Sequence, residues 1–253
     1  MKHLTGLFLL TLLFFSSCRK EDAPQRIANN VRLSRLENQY RKQQFFYNAD
    51  GSLSRALQQE RNGDTVKDFR YQYIQGLVAG TSVARAQVTY EWLHADSLRL
   101  IVRNEGGQPT YTMLFRFSGD RLERWWQYQH ADGLILPRER TDFTYNAQGN
   151  LVERKHYDHD GAQWLLAHTV QLPAYDRQPN WSASFELTPY WLGKPRLVQN
   201  NPLREEFRNA AGHLFKTIVW QYQYNADGLK VRATKTISED HEPTRTEHIH
   251  YTY

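Results

Sequence analysis

Tyr47-Asn48-Ala49-Asp50-Gly51-Ser52-Leu53 is the stretch that decides the fold, because the chain repeats it. It returns as Tyr145-Asn146-Ala147-Gln148-Gly149-Asn150-Leu151 and again as Tyr224-Asn225-Ala226-Asp227-Gly228-Leu229. Looser versions stand at Asn209-Ala210-Ala211-Gly212-His213-Leu214, His130-Ala131-Asp132-Gly133-Leu134 and Tyr157-Asp158-His159-Asp160-Gly161. Asn and Asp side chains cap turns and tolerate left-handed backbone, and Gly supplies positive φ without a Cβ clash. Each copy therefore reads as a strand that enters, reverses within a few residues and leaves. Turns this short join only neighbouring antiparallel strands, so the expected connectivity is up and down.

Between the turns the residues alternate. Phe69, Tyr71 and Tyr73 fall on one strand face while Asp68, Arg70 and Gln72 fall on the other. Tyr111, Met113, Phe115 and Phe117 share a face, as do Trp220, Tyr222 and Tyr224, and then Ile249, Tyr251 and Tyr253. No stretch of adequate length has a helical period. The reading is all-β: an antiparallel β-meander forming one large curved sheet or open barrel, with a two-sheet sandwich equally compatible with the pattern. A transmembrane barrel is the less favoured form, since the face opposite the aromatics carries Arg, Gln, Glu and Lys where lipid would demand apolar groups. A long irregular loop is expected near 172–203, where Pro173, Pro179, Pro189, Pro195 and Pro202 interrupt the alternation. Its aromatics Tyr175, Trp181, Phe185, Tyr190 and Trp191 read as a cover over open sheet, or else as a ligand site.

Composition narrows the class. Hydrophobic residues make up 40% and mean hydropathy is −0.74, yet aromatics reach 13%, far too many for a disordered chain. That balance suits strands with one aromatic and one charged face. The formal charge of +5 is spread along the 253 residues without a basic cluster, so no nucleic-acid partner is expected.

The amino-terminal residues suggest an address. Lys2 and His3 precede an apolar run from Leu4 to Phe15, followed by Ser16, Ser17 and Cys18. This is the form of a secretory signal, too short to span a membrane comfortably. Phe15-Ser16-Ser17-Cys18 resembles the bacterial lipobox, whose cysteine becomes the lipidated first residue of the mature protein. Cys18 is the only cysteine, so no intramolecular disulfide competes for it. Arg19-Lys20-Glu21-Asp22 resembles the export signal of Bacteroidetes surface lipoproteins. The organisation expected is a signal peptide at 1–17, a lipidated Cys18 with a flexible tether to 30, and a β-meander domain at 31–253. Such a protein is held in the outer membrane through Cys18 and faces the cell exterior, with a periplasm-facing orientation as the alternative.

The Tyr-Asn-Ala-Asp-Gly-x-Leu units resemble the strand-turn units of YD-repeat (RHS-like) proteins. The whole arrangement resembles a family of Bacteroidetes surface lipoproteins that combine a lipobox, such turns, and a late Tyr-Asp-x-x-Pro-Asn segment followed by Asn-Asn-Pro. Here these are Tyr175-Asp176-Arg177-Gln178-Pro179-Asn180 and Asn200-Asn201-Pro202. The chain departs at Gln178-Pro179-Asn180-Trp181, where the family reads Lys-x-Asn-Pro-Phe. The resemblance implies a β-rich envelope protein and brings no catalytic residues with it.

Catalytic signatures are absent from the sequence. There is no G-x-S-x-G elbow, no phosphate-binding G-x-x-x-x-G-K-[ST], and no thiol besides Cys18. His248 and His250 share a strand face near His241, but a solvated surface is the commoner meaning of such a pair, and no metal or other cofactor is expected. Asp158-His159-Asp160-Gly161 lacks the later acids of a calcium loop. Glu91, Glu123, Asp142 and Glu153 lie on strands among arginines, the setting of cross-strand ion pairs. The aromatics Trp125, Trp126, Tyr128, Trp220 and Tyr222 are the candidate ligand-binding residues, as platforms for the apolar faces of sugars. The expectation is a non-enzymatic binding or scaffold protein with a polysaccharide or envelope-protein partner; the alternative is a glycan-acting hydrolase using the strand carboxylates.

Overall fold

The computed structural model describes residues 32–83, 85–180 and 199–253. Among them the chain forms sixteen strands and no helix. The first eight are β1 (Arg35–Asn38), β2 (Arg41–Tyr47), β3 (Leu53–Glu60), β4 (Thr65–Ile74), β5 (Leu77–Val83), β6 (Ala86–His94), β7 (Ser97–Arg103) and β8 (Pro109–Ser118). The rest are β9 (Arg121–Ala131), β10 (Leu134–Tyr145), β11 (Leu151–His159), β12 (Trp164–Pro179), β13 (Asn200–Asn209), β14 (Leu214–Tyr224), β15 (Lys230–Glu239) and β16 (Arg245–Thr252). Every strand pairs with its sequence neighbours, and β1 pairs with β16 from Arg35↔Thr252 to Asn38↔Ile249, which closes the sheet into a barrel. Closure settles the choice among curved sheet, open barrel and sandwich.

The repeated turn has one geometry. Asn48 N donates to Ser52 O and Gly51 N to Asn48 O, and the same two bonds recur at Asn146/Asn150 with Gly149 and at Asn225/Leu229 with Gly228. In the second and third copies the Asn side-chain oxygen also takes two backbone N–H groups, from Gln148 and Asn150 and from Asp227 and Leu229. The glycine is needed at its position: Gly149 has φ +84°, and a Cβ there would stand 3.1 Å from Arg121 Nη2.

The paired register sorts side chains onto two faces. Leu98, Leu100, Met113, Phe115, Leu122 and Trp125 belong to one face and are at most 8% exposed. With no other described element to cover it, this buried face is the inside of the barrel. Burying one such side chain fully is worth about 1.5–3 kcal/mol. The interior falls into two packed clusters, one spanning β5 to β12 and the other joining β1 to β3 with β15 and β16. Barrels of 16 strands in membranes enclose an aqueous channel; here the inner residues at this level are packed and dry.

The outer face is charged. Arg55 binds Asp68 at 2.7 Å, Arg99 binds Glu91 at 2.7 Å, Arg124 and Arg140 flank Asp142, and Glu206 lies between Arg204 and Arg208 at 2.8 and 2.9 Å. Arg208 first, then Arg204, hold the Glu206 carboxyl below the usual carboxylate range. Exposed pairs contribute only about 0–1 kcal/mol each. Their meaning is solvation: a wall of guanidinium and carboxylate groups belongs in water, not in hydrocarbon.

The region expected as an irregular loop near 172–203 is shorter than its prolines imply. Leu172–Pro179 continue β12 and Asn200–Leu203 begin β13, paired through register shifts between Gln171 and Ala174, Ala174 and Tyr175, and Tyr175 and Pro179. Pro173, Pro179 and Pro202 fall where these irregularities already break the ladder, so they do not cost it regular hydrogen bonds. The segment 181–198, with Trp181, Phe185, Tyr190 and Trp191, lies outside the described residues. So do the signal, Cys18 and the tether.

Candidate functional site

The two ends of the barrel differ. At one end, which carries the turns after Tyr47, Tyr145 and Tyr224, the inner face is aromatic and apolar. A latch recurs there: a Tyr near the end of an even-numbered strand donates its hydroxyl to a carbonyl within two residues of the start of the preceding odd strand. Tyr47 reaches Leu33 O at 2.7 Å, Tyr73 reaches Leu53 O at 2.8 Å, Tyr145 reaches Leu122 O at 2.9 Å and Tyr222 reaches Pro202 O at 2.7 Å. Tyr175 makes the same bond to Leu151 O. Burial pushes the Tyr47 hydroxyl up to about 12, and pushes Tyr145 and Tyr175 higher still. Arg32 lies over the Tyr47 ring and Arg121 over the Tyr145 ring, at 5.5 and 5.8 Å.

Towards the other end the inner face turns polar. Lys67 and Glu139 keep inward register, opposite Gln58 and Gln127, and both are solvent-exposed, so water enters here. Lys235 pairs with Glu247 at 3.7 Å and stands 5.5 Å from the Trp220 ring, while Lys216 pairs with Glu239 at 3.3 Å. His156 and His168 stack with centroids 4.3 Å apart, and Thr141 Oγ1 lies 2.9 Å from His156 Nδ1. Burial first, then His168 and Arg154, drive the His156 imidazole down to about 3, so it is neutral at ordinary pH. A cleft of about 600 Å³ opens on the rim of this end between Asn38–Arg41 and Glu60–Asn62. The result is a barrel packed at one end with a charged, amide-rich mouth at the other, and the mouths of β-barrels are places where ligands bind.

The five aromatics singled out in the sequence do not form one platform. Trp125 is 8% exposed, faces inward and stacks on Phe115 at 6.4 Å. Trp126 and Tyr128 are half-buried on the outer wall, with Arg124 over the Trp126 ring at 5.5 Å. Trp220 and Tyr222 face inward, stacked at 6.0 Å, and Trp220 Nε1 donates to Glu205 at 2.9 Å. Trp220 is the one that borders the polar mouth, through Lys235. The strand carboxylates are ion-paired on the outer wall: Glu91 with Arg99, Glu123 with Arg116, Asp142 with Arg124 and Glu153 with Lys155. His248 and His250 point outward and exposed, and no group of three metal-ligating side chains occurs among the described residues.

A second polar centre was marked in the sequence only as a motif. Asp176 from Tyr-Asp-x-x-Pro-Asn and Asn201 from Asn-Asn-Pro meet at the latched end. Asn201 is 0% exposed; its Nδ2 lies 3.3 and 3.2 Å from the two Asp176 carboxylate oxygens, 3.1 Å from Gln178 O and 3.1 Å from the Tyr224 hydroxyl. Lys230, 2% exposed, donates to Asn201 Oδ1 at 3.1 Å. Tyr224 departs from the latch scheme, because its hydroxyl donates to the Asp176 carboxylate instead of a backbone carbonyl. Nothing in the run Leu229-Lys230-Val231 signals a buried amine.

No protein-family model matches the sequence, and no curated protein does. Similar solved structures exist. A porin-like protein from Bacteroides uniformis is 13% identical with a TM-score of 0.54, covering 87% of this chain and 96% of its own. A porin-like protein from Bacteroides vulgatus is 11% identical with a TM-score of 0.43, covering 88% of this chain and 99% of its own. The TcdB2-TccC3-Cdc42 assembly is 14% identical with a TM-score of 0.32, covering 83% of this chain and 13% of that one. At 13% identity the likeness to the Bacteroides uniformis protein is one of fold: this chain is a β-barrel of the same general architecture.

Proposed function

We propose that this chain is a non-catalytic binding protein of the bacterial cell envelope, anchored in the outer membrane by a lipid on Cys18 and offering its polar mouth to a glycan. The observation that carries this reading is the distribution of charge. Ion-paired arginines and carboxylates cover the outer wall, while on the inner face the solvent-exposed Lys67 and Glu139 stand towards the mouth and the Asn201–Lys230 centre at the other end is buried. A barrel with that wall stands in water beside a membrane, so it needs an anchor other than its strands, and the lipobox-like Phe15-Ser16-Ser17-Cys18 supplies one. The fold shared with a porin-like protein of Bacteroides supports an envelope address. Charged groups beside Trp220, Lys235 over its ring and Glu205 on its Nε1, are the chemistry that holds sugar hydroxyls against an aromatic face.

The test is affinity electrophoresis of the Cys18→Ala protein through gels containing single polysaccharides. Retardation by one polymer that disappears in Lys235→Ala but persists in Trp126→Ala supports binding at the mouth. Retardation lost only in Trp126→Ala moves the site to the outer wall, and none with any polymer overturns the glycan reading. For the anchor, labelled palmitate should enter the native protein and not Cys18→Ala; equal labelling of both refutes lipidation at Cys18.

A further inference from the structure

The centre formed by Asp176, Asn201 and Lys230 holds the parts of a chemical reaction. A primary amine and a carboxylate approach one carboxamide from its two sides: Lys230 Nζ is 3.1 Å from Asn201 Oδ1, and the Asp176 oxygens are 3.2 and 3.3 Å from Nδ2. The Tyr224 hydroxyl touches both the carboxylate and Nδ2. Lys230 lies against the rings of Tyr222 and Tyr251, at 5.0 and 4.5 Å, and Asn201 is fully buried. The amine is therefore held in hydrogen-bond contact with the amide in a buried site, the kind of fixed pairing in which effective molarities reach about 10⁵–10⁸ M.

We propose that Lys230 and Asn201 are joined by an intramolecular isopeptide bond, formed by the protein itself with Asp176 as the proton carrier. The Lys230 ammonium yields one proton to the Asp176 carboxylate, and the freed amine attacks Asn201 Cγ to give a tetrahedral carbon. A second proton passes from the attacking nitrogen to Nδ2, the Cγ–Nδ2 bond breaks, and ammonia leaves. The proton on Asp176 converts that ammonia to ammonium and restores the carboxylate. One N–C bond forms, one breaks, and no oxidant or cofactor enters. Tyr224 fixes Asp176, while Tyr222 carries the backbone latch of the same strand. The bond ties the start of β13 to the start of β15 across β14 at the latched end.

Peptide mass mapping of the native, full-length protein purified from cells decides the matter, and reading peptides keeps changes at Cys18 out of the measurement. The expected result is one branched peptide joining the segments of Asn201 and Lys230, lighter than their sum by one ammonia. Lys230→Met yields two linear peptides of full mass. Asn201→Asp still closes, with loss of water instead of ammonia, and Asp176→Ala leaves both residues unreacted. Linear, full-mass peptides in the native protein overturn the proposal whatever the variants do. So does loss of ammonia without a branch, which leaves Lys230 unjoined to Asn201.

Discussion

Replacing Tyr145 by Phe removes one oxygen and tests whether the signature tyrosine of the repeat is a latch or merely an aromatic filler. The hydroxyl donates at 2.9 Å to Leu122 O, and the Leu122 side chain is 0% exposed, so no water stands ready to replace it. An average hydrogen bond contributes about 0.5–1.5 kcal/mol net, and an acceptor left buried without a partner costs about 1–3 kcal/mol. The expected loss is therefore about 1–2 kcal/mol, which in a domain of this size lowers Tm by about 3–6 °C. The control is Tyr111→Phe, the same chemistry at a ring that is 39% exposed, where the change should stay within about 0.5 kcal/mol. The latch also predicts an alkaline effect. Its pKa is raised in the folded state, so its stabilisation is complete below pH 10 and is lost as pH rises from there, where only the unfolded chain ionises. Tyr145→Phe should therefore flatten the fall in stability above pH 10. Differential scanning calorimetry of the three proteins at pH 8 and pH 10.5 measures both effects. Equal melting temperatures for Tyr145→Phe and Tyr111→Phe refute the reasoning.

Three further substitutions probe other parts of the barrel. His156 is held at about 3 against an ordinary 6.5, so the stabilisation from keeping it neutral is present above pH 6.5 and drains away as pH falls towards 3. The drain approaches about 1.4 kcal/mol per pH unit, less whatever residual hydration relieves. His156→Gln should flatten the urea midpoint between pH 6 and pH 4, and an unchanged slope contradicts the assignment. Leu100→Ala and Arg99→Gln alter adjacent residues on opposite faces. The first should cost about 2–5 kcal/mol and the second at most about 1 kcal/mol by denaturant titration; the reverse order contradicts the placement of the inside.

The turns and the faces were legible because both are local. Asn and Gly declare a reversal by backbone preference alone, and strict alternation separates Trp125 from Trp126 and aligns Trp220 with Tyr222 before any coordinates exist. Closure was not legible, because pairing of Arg35–Asn38 with Ile249–Thr252 joins residues about as far apart as the chain allows. The extension of β12 through Pro173 was hidden for a related reason: bulges make proline tolerable, and no residue type announces a bulge. Whether an aromatic binds or packs also depends on what lies opposite, so Trp125 reads alike in both roles until its exposure is known. Asp176 and Asn201 stood out as a motif, but their partner Lys230 is a lysine among dozens of charged residues until the fold brings it to them.

The seam between β1 and β16 makes this barrel a structure with a deadline. Fifteen of its interfaces join strands that follow one another in the chain, and each can zip as soon as its own hairpin has emerged. The sixteenth waits for Arg245–Thr252, and the Ser34 Oγ bond to Thr252 O closes over 218 residues. Until then two raw strand edges are open to any passing β-strand, the usual invitation to aggregate. If the chain is exported as proposed, the same delay is useful, because a sheet that lacks its last strand resists unthreading less than a finished ring does. Timing of ring closure thus rests on the eight residues of β16, and on their meeting β1 before another strand does.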